Sequence, residues 1–158
     1  MIRDNTINYQ LSTINYMPQA YKLAQQAAAM GEVPVGCVVV KNNEVIAAAF
    51  NKVEQEGDIT NHAELLAIKQ ASAKLGNKYL TNCDLYVTLE PCPMCAQAIS
   101  NARIKKLYFG AYDTKSGGVE NGARIFEQSS CHHKPEVIGG IMEDECKSLI
   151  QTFFRDLR

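Results

Sequence analysis

No segment of the 158-residue chain is apolar over the length a bilayer-spanning helix needs. The first residues, with Arg3, Asp4, Asn5 and Asn8, lack the apolar core of a secretory signal. These absences argue against a membrane partner and make the cytoplasm the expected location. Charge of one sign is lacking too: 16 Lys and Arg stand against 17 Asp and Glu, for a net charge of −1. No basic average field advertises nucleic-acid binding, so a polyanionic partner would have to be held by a local patch. Nor does any internal repeat or linker divide the chain, whose length suits one domain with a substantial core. The six cysteines do not require disulfides, because a chain this long, with 46% hydrophobic residues, can stabilise itself by burial. Cys37, Cys83, Cys131 and Cys146 are expected to be buried small apolar groups or free thiols.

Two short stretches carry chemistry: His62-Ala63-Glu64 and Pro91-Cys92-Pro93-Met94-Cys95. If Pro91 ends an extended segment and a helix starts near Cys92, both thiols fall on one face of its first turn. The helix N-terminus there favours thiolates. One imidazole and two thiolates make a three-ligand set, which leaves a tetrahedral zinc one open position for water. Glu64, two residues from the imidazole, is placed to carry protons for that water and is the expected catalytic residue. A closed structural zinc knuckle and a redox dithiol are the alternatives. The H-x-E and P-C-x-x-C combination resembles the signature of zinc nucleobase deaminases.

The hydropathy pattern supplies a frame. Residues 1–15 show no clear period and read as an N-terminal extension. Met17, Ala20, Tyr21, Ala24, Ala27 and Ala28 predict a helix that Pro18 starts and Gly31 closes. Val33–Val40 and Val45–Phe50 predict a hairpin turning at Lys41-Asn42-Asn43-Glu44. The stretch through Asp58 and Thr60 reads as polar turn, after which Thr60 or Asn61 caps a helix carrying His62 and Glu64 in its first turn and ending at Gly76. Leu85–Leu89, Lys105–Phe109 and Glu136–Ile138 predict strands, with the Cys92 helix running to about Asn101 and a short helix near Ala123–Glu127. The last helix puts Met142, Cys146, Leu149, Ile150, Phe153 and Leu157 on one face, with acids at its start and Arg155 and Arg158 at its end. The alternation predicts an α/β domain over 16–158: a three-layer α/β/α arrangement of helices on both faces of a five-stranded mixed sheet.

From about Tyr16 onward the chain resembles the bacterial-type tRNA adenosine deaminases of the cytidine deaminase-like superfamily. The resemblance is carried by Val33-Pro34-Val35-Gly36, Phe50-Asn51, His62-Ala63-Glu64, Thr88-Leu89-Glu90-Pro91-Cys92-Pro93-Met94-Cys95, Phe109-Gly110-Ala111-Tyr112-Asp113, and Asp144-Glu145-Cys146 with Phe153-Phe154-Arg155. It implies one zinc per subunit on His62, Cys92 and Cys95, no organic cofactor, and hydrolysis of the wobble adenosine of a tRNA anticodon to inosine with release of ammonia. Glu64 would move the protons, and the base would first be splayed out of the anticodon loop. It also implies a homodimer whose two subunits both touch the RNA. Asn51 and Ala63 would bind the purine, Asp113 the ribose or neighbouring backbone, and Phe154 and Arg155 the flanking nucleotides. Two segments depart from the family pattern, Val119-Glu120-Asn121-Gly122 and Cys131-His132-His133, and no basic tail follows Arg155. A deaminase acting on free guanine or cytosine, and a non-catalytic zinc-stabilised RNA-binding module, are the rival readings.

Overall fold

The computed structural model describes the backbone of residues 2–157, and side chains from Tyr16 onward. Arg158, expected at the end of the last helix, lies outside the described residues. The hairpin is β1 (Gly36–Lys41) and β2 (Glu44–Phe50), paired antiparallel through a two-residue loop. Asn42 and Asn43 both have positive φ, 51° and 60°, as a twist-matched type I′ turn demands. β1 starts at Gly36, later than expected from the apolar run, since Pro34 has no N–H to give a ladder. On its other side β1 pairs antiparallel with β3 (Cys83–Leu89). From β3 the chain crosses over through α4 (Pro93–Asn101) to β4 (Lys106–Ala111), which pairs parallel to β3. β5 (Glu136–Ile138) adds a further parallel edge, giving one mixed five-stranded sheet in the order β2-β1-β3-β4-β5.

Alternation along the strands divides the core in two. Cys37, Val39, Leu85, Val87, Leu107 and Phe109 face α4 and α3 (Ala63–Leu75). Val38, Val40, Tyr86 and Tyr108 point the other way, against α1 (Ile2–Ala29), and Tyr86 stacks on Tyr108 with ring centroids 4.4 Å apart. α5 (Glu143–Asp156) lies on this second face, its Cys146 seated where Gly110 leaves room. The three layers match the sequence expectation. No helix among the described residues is long and apolar enough to cross a membrane.

Several boundaries differ from expectation. α1 does not begin at Pro18 but at Ile2, with Pro18 inside it. An interior proline removes one hydrogen bond, and here Met17 and Ala20, both fully buried on the sheet, hold the helix on either side of Pro18. The turn-like stretch after Asn51 contains one helical turn, α2 (Val53–Glu56). Its exposed N–H groups are satisfied by buried Glu32, whose carboxylate accepts from Glu54 (3.0 Å) and Gln55 (2.7 Å). α3 is capped by neither Thr60 nor Asn61: its N-cap is His62, which makes no side-chain capping bond. A short 3₁₀ turn occupies Ile125–Glu127.

Gly36 shows how closely α1 lies on the sheet: a Cβ there would come 2.6 Å from the backbone nitrogen of Ala24, and nearer still to the carbonyl oxygen of Ala20. Gly36→Ala is therefore expected to lower unfolding free energy by about 1–3 kcal/mol, read from the urea midpoint. Ala48→Ser, on the exposed face of β2, should stay within about 0.5 kcal/mol of the parent.

Candidate active site

Two helix N-termini converge at the end of the sheet where β3 and β4 finish and the antiparallel β1 begins. His62 ends the chain's approach to α3, and Cys92 does the same for α4 as its N-cap, with Pro93 in the first turn and Cys95 one step further on. Pro93 suits that position because its missing N–H is one the helix start leaves unpaired anyway. The result is a tight triangle: His62 Nδ1 lies 3.6 Å from Cys92 Sγ and 3.5 Å from Cys95 Sγ. All three ligand atoms fall within 4.8 Å of one another. Among the described residues no other group of three His, Cys, Asp or Glu is gathered this way, so Cys131, His132 and His133 do not form a second centre. Cys131 and the Ser100 hydroxyl instead donate to the His133 carbonyl (3.1 and 2.7 Å).

The triangle has the dimensions of a metal site. Tetrahedral zinc with Zn–N near 2.0–2.1 Å and Zn–S near 2.3 Å requires nitrogen–sulfur separations of about 3.5–3.6 Å. All six cysteines are free thiols, so the pair is not bridged. Its protons also want a cation. The Cys95 thiol hydrogen-bonds to Cys92 and, with His62, holds Cys92 down at about 4, against the pull of burial. That same sharing with Cys92, together with burial, pushes Cys95 far up. His62 is raised, first by its hydrogen bond to Cys92. The pair therefore releases one proton readily and the second only when positive charge compensates. The donor set fits one zinc ion.

Glu64 sits beside the triangle in the first turn of α3, only 4% exposed. Burial above all pushes its carboxyl up to about 7, and Cys92 adds to this, whereas its own backbone N–H, His62 and the Cys95 thiol work the other way. Cys37 packs beneath, its thiol raised by burial and then by Glu64. These groups open onto a cavity of about 270 Å³ whose lining includes Asn51, His62, Glu64, Cys92, Asp113 and Ser116. Asn51 Oδ1 accepts the Ala63 N–H at 2.8 Å, so this distant amide supplies the capping bond that α3 lacks locally. It leaves the Asn51 NH₂ as the donor that side chain can offer a ligand. Ala63 itself is fully buried, with its N–H taken by Asn51.

Asp113 lies on the cavity wall, and its Oδ1 also accepts the N–H groups of Lys115 (3.1 Å) and Ser116 (2.9 Å), a local Asx-type turn. A second cavity of about 600 Å³ adjoins the first along α5, sharing Val33, Leu89, Asp113 and Ser116 and bringing in Tyr112, Lys115, Lys147 and Phe154. Phe154 is exposed, and Arg155 flanks it on the outer rim. Phe153, expected in the core, is only partly buried, in edge contact with Phe154.

Glu90 and Glu32 line the same cavity and were not singled out from the sequence as site residues. Glu90 is almost fully buried. Burial would raise its carboxyl, but hydrogen bonds from the Asn121 side chain and from backbone N–H groups prevail and hold it below the usual range. Its place directly before Pro91-Cys92 was the available signal.

Two variants test the metal assignment. Cys92→Ala and Cys95→Ala should each reduce zinc from about one ion per chain to nearly none by elemental analysis, and should lower the melting temperature, because metal binding is linked to folding.

The comparisons with known proteins agree with this geometry. Residues 12–111 match the family model described as the cytidine and deoxycytidylate deaminase zinc-binding region. The tRNA-specific adenosine deaminase of Agrobacterium fabrum is 46% identical over 91% of this chain and 95% of its own length. The protein of the same name from Bacillus subtilis is 44% identical over 90% of this chain and 89% of its own. A solved structure from biochemical and structural studies of A-to-I editing by tRNA:A34 deaminases at the wobble position of transfer RNA superposes with a TM-score of 0.84. It is 47% identical and covers 85% of this chain and 98% of that one. By sequence and fold together, the chain belongs to the cytidine and deoxycytidylate deaminase zinc-binding family, among the tRNA-specific adenosine deaminases.

Proposed function

We propose that this protein hydrolyses adenosine to inosine at the wobble position of a tRNA anticodon, with one zinc ion per subunit and no organic cofactor. The observation that carries this reading is the nitrogen–sulfur–sulfur triangle with buried Glu64 at its side, on the floor of a cavity of about 270 Å³. That volume is below the usual range for drug-sized ligands, so an RNA substrate would have to present a single extruded base. The relatives' names direct the reading to tRNA.

Zinc on His62, Cys92 and Cys95 supplies the Lewis acidity that lets water act as a nucleophile near neutral pH. Glu64 takes a proton from the attacking water and delivers it to N1 of adenine, beside C6 where the oxygen adds. It then carries the second proton, taken from the hydroxyl added at C6, to the amino nitrogen, so that the C6–N bond breaks, ammonia leaves and the C6 carbonyl remains. Water is consumed, ammonia is released, and no electrons change hands. Asn51 directs its NH₂ at the purine while its oxygen keeps the start of α3 in place, and Ala63 contributes to purine binding through that link. Asp113 meets the ribose or adjoining backbone. The neighbouring groove takes flanking nucleotides: Phe154 offers a ring for stacking, and Lys115, Lys147 and Arg155 offer cations for phosphates.

The active protein is a homodimer in the cytoplasm, with the RNA spanning both subunits. Exposed apolar side chains on the two segments that carry the site, Ile59 and Met94, support such pairing. Residues 16–158 act as the single deaminase domain, with 1–15 as an N-terminal extension.

With an anticodon stem-loop carrying wobble adenosine, Glu64→Gln should lower kcat by about 10²–10⁴ or more and leave zinc content unchanged. Turnover of free guanine or cytosine with none of the stem-loop would reject the RNA reading. Undiminished function of Glu64→Gln would reject catalysis. Sedimentation should give twice the chain mass.

A further inference from the structure

We propose that Glu90 is a positioning residue for substrate binding: its carboxylate is the internal anion around which residues 113–121 fold into the outer wall of the cavity. Five donors reach it, all from that one loop. Oε1 accepts the Asp113 N–H (3.1 Å) and the Asn121 side-chain amide (2.8 Å). Oε2 accepts the consecutive N–H groups of Val119 (3.2 Å), Glu120 (2.9 Å) and Asn121 (3.0 Å). Successive backbone N–H groups aimed at one oxygen form an anion-binding nest, and here the anion is a side chain of the same protein. At 2% exposed, Glu90 has little water to offer its oxygens in place of these donors.

The nest acts on the site through what it fixes. Asp113, tied to Glu90 by its own N–H, in turn holds the N–H groups of Lys115 and Ser116, and both Asp113 and Ser116 line the cavity. Two glycines allow the approach. A Cβ on Gly117 would sit 2.5 Å from Glu90 Oε2, and one on Gly118 would sit 2.6 Å from the Pro93 nitrogen. The Gly118 N–H also bonds the Pro91 carbonyl (2.8 Å), so the loop rests on the residues that lead into the cysteine helix. Glu90 thus sets the distance between the metal-binding helix and the opposite wall, where the substrate's sugar and backbone would lie.

Glu90→Gln keeps the side chain's length. With its oxygen left to the three backbone donors, its NH₂ faces the Asp113 N–H, which loses its acceptor. The Asn121 amide can turn over to accommodate the change, but a backbone N–H cannot. In the zinc-loaded protein, amide exchange at 113 and 119–121 should quicken by roughly tenfold to a hundredfold, in line with loss of a charged acceptor. With the anticodon stem-loop, KM should rise by about tenfold and kcat should change little, the pattern of lost uniform binding. Zinc content should match the parent. Gly117→Ala, whose methyl would push the loop off the carboxylate with residue 90 itself unchanged, should give the same pattern. Wild-type exchange and KM in both variants would overturn the proposal, as would loss of zinc in parallel with activity. The kinetic arm rests on the tRNA reading, whereas exchange and zinc content do not. Failure of the parent on the stem-loop would therefore reject that reading alone.

Discussion

A single imidazole nitrogen has to lie within about a van der Waals contact of two sulfurs, and most of the architecture follows from that demand. The sulfurs come from one helix and the nitrogen from another, so both helices must start at the same point above the sheet. They do so because α3 and α4 pack on the same face, through Ala67, Ala71 and Ile99, and because the strands beneath, β1 and β3, are neighbours. Small residues along α3 allow that packing. A helix start normally leaves several N–H groups unpaired, and here the two starts point them at a cluster whose working forms are anionic. Distance and electrostatics thus come from the same arrangement.

Three buried carboxylates surround the cavity, and their neighbours give them different work. Glu32 holds α2 and Glu90 holds the 113–121 loop, each through backbone donors. Those two serve the framework, with their oxygens committed to backbone donors of the chain. Glu64 has the sulfur and imidazole groups as neighbours, in a pocket where its charged form is disfavoured. The hydrogen bonds to Glu90 hold its carboxyl below the usual range, whereas burial pushes that of Glu64 up, so that Glu64 can take up a proton. Chemically identical groups are separated into framework and proton carrier by their hydrogen-bond partners.

What could be read in the sequence was local. The spacing of Cys92 and Cys95, Pro93 just inside the helix, and the Asn42-Asn43 turn are each set by contacts within a few residues, and each reappears in the structure. The alternation that sorts Val38 and Val40 from Cys37 and Val39 was hidden in an unbroken apolar run, because both faces of this sheet are covered. Long-range hydrogen bonds were invisible as well. α2 depends on an acceptor at Glu32, some twenty residues earlier, and the start of α3 depends on Asn51 rather than on Thr60 or Asn61. The path of α1 through Pro18 was decided by burial against the sheet, which a local penalty for proline does not include.

The pairing of β1 with β3 bears on when the ion can be captured. Its two thiols are close neighbours along the chain, so even a disordered polypeptide presents them together. The imidazole lies 33 residues before Cys95 and meets the thiols across the pairing of the hairpin with β3. Non-local strand pairing of this kind is the slow part of assembly. A nascent chain therefore offers a weak two-point grip first and the full grip last, so that loading with the complete ligand set reports that the sheet has already formed.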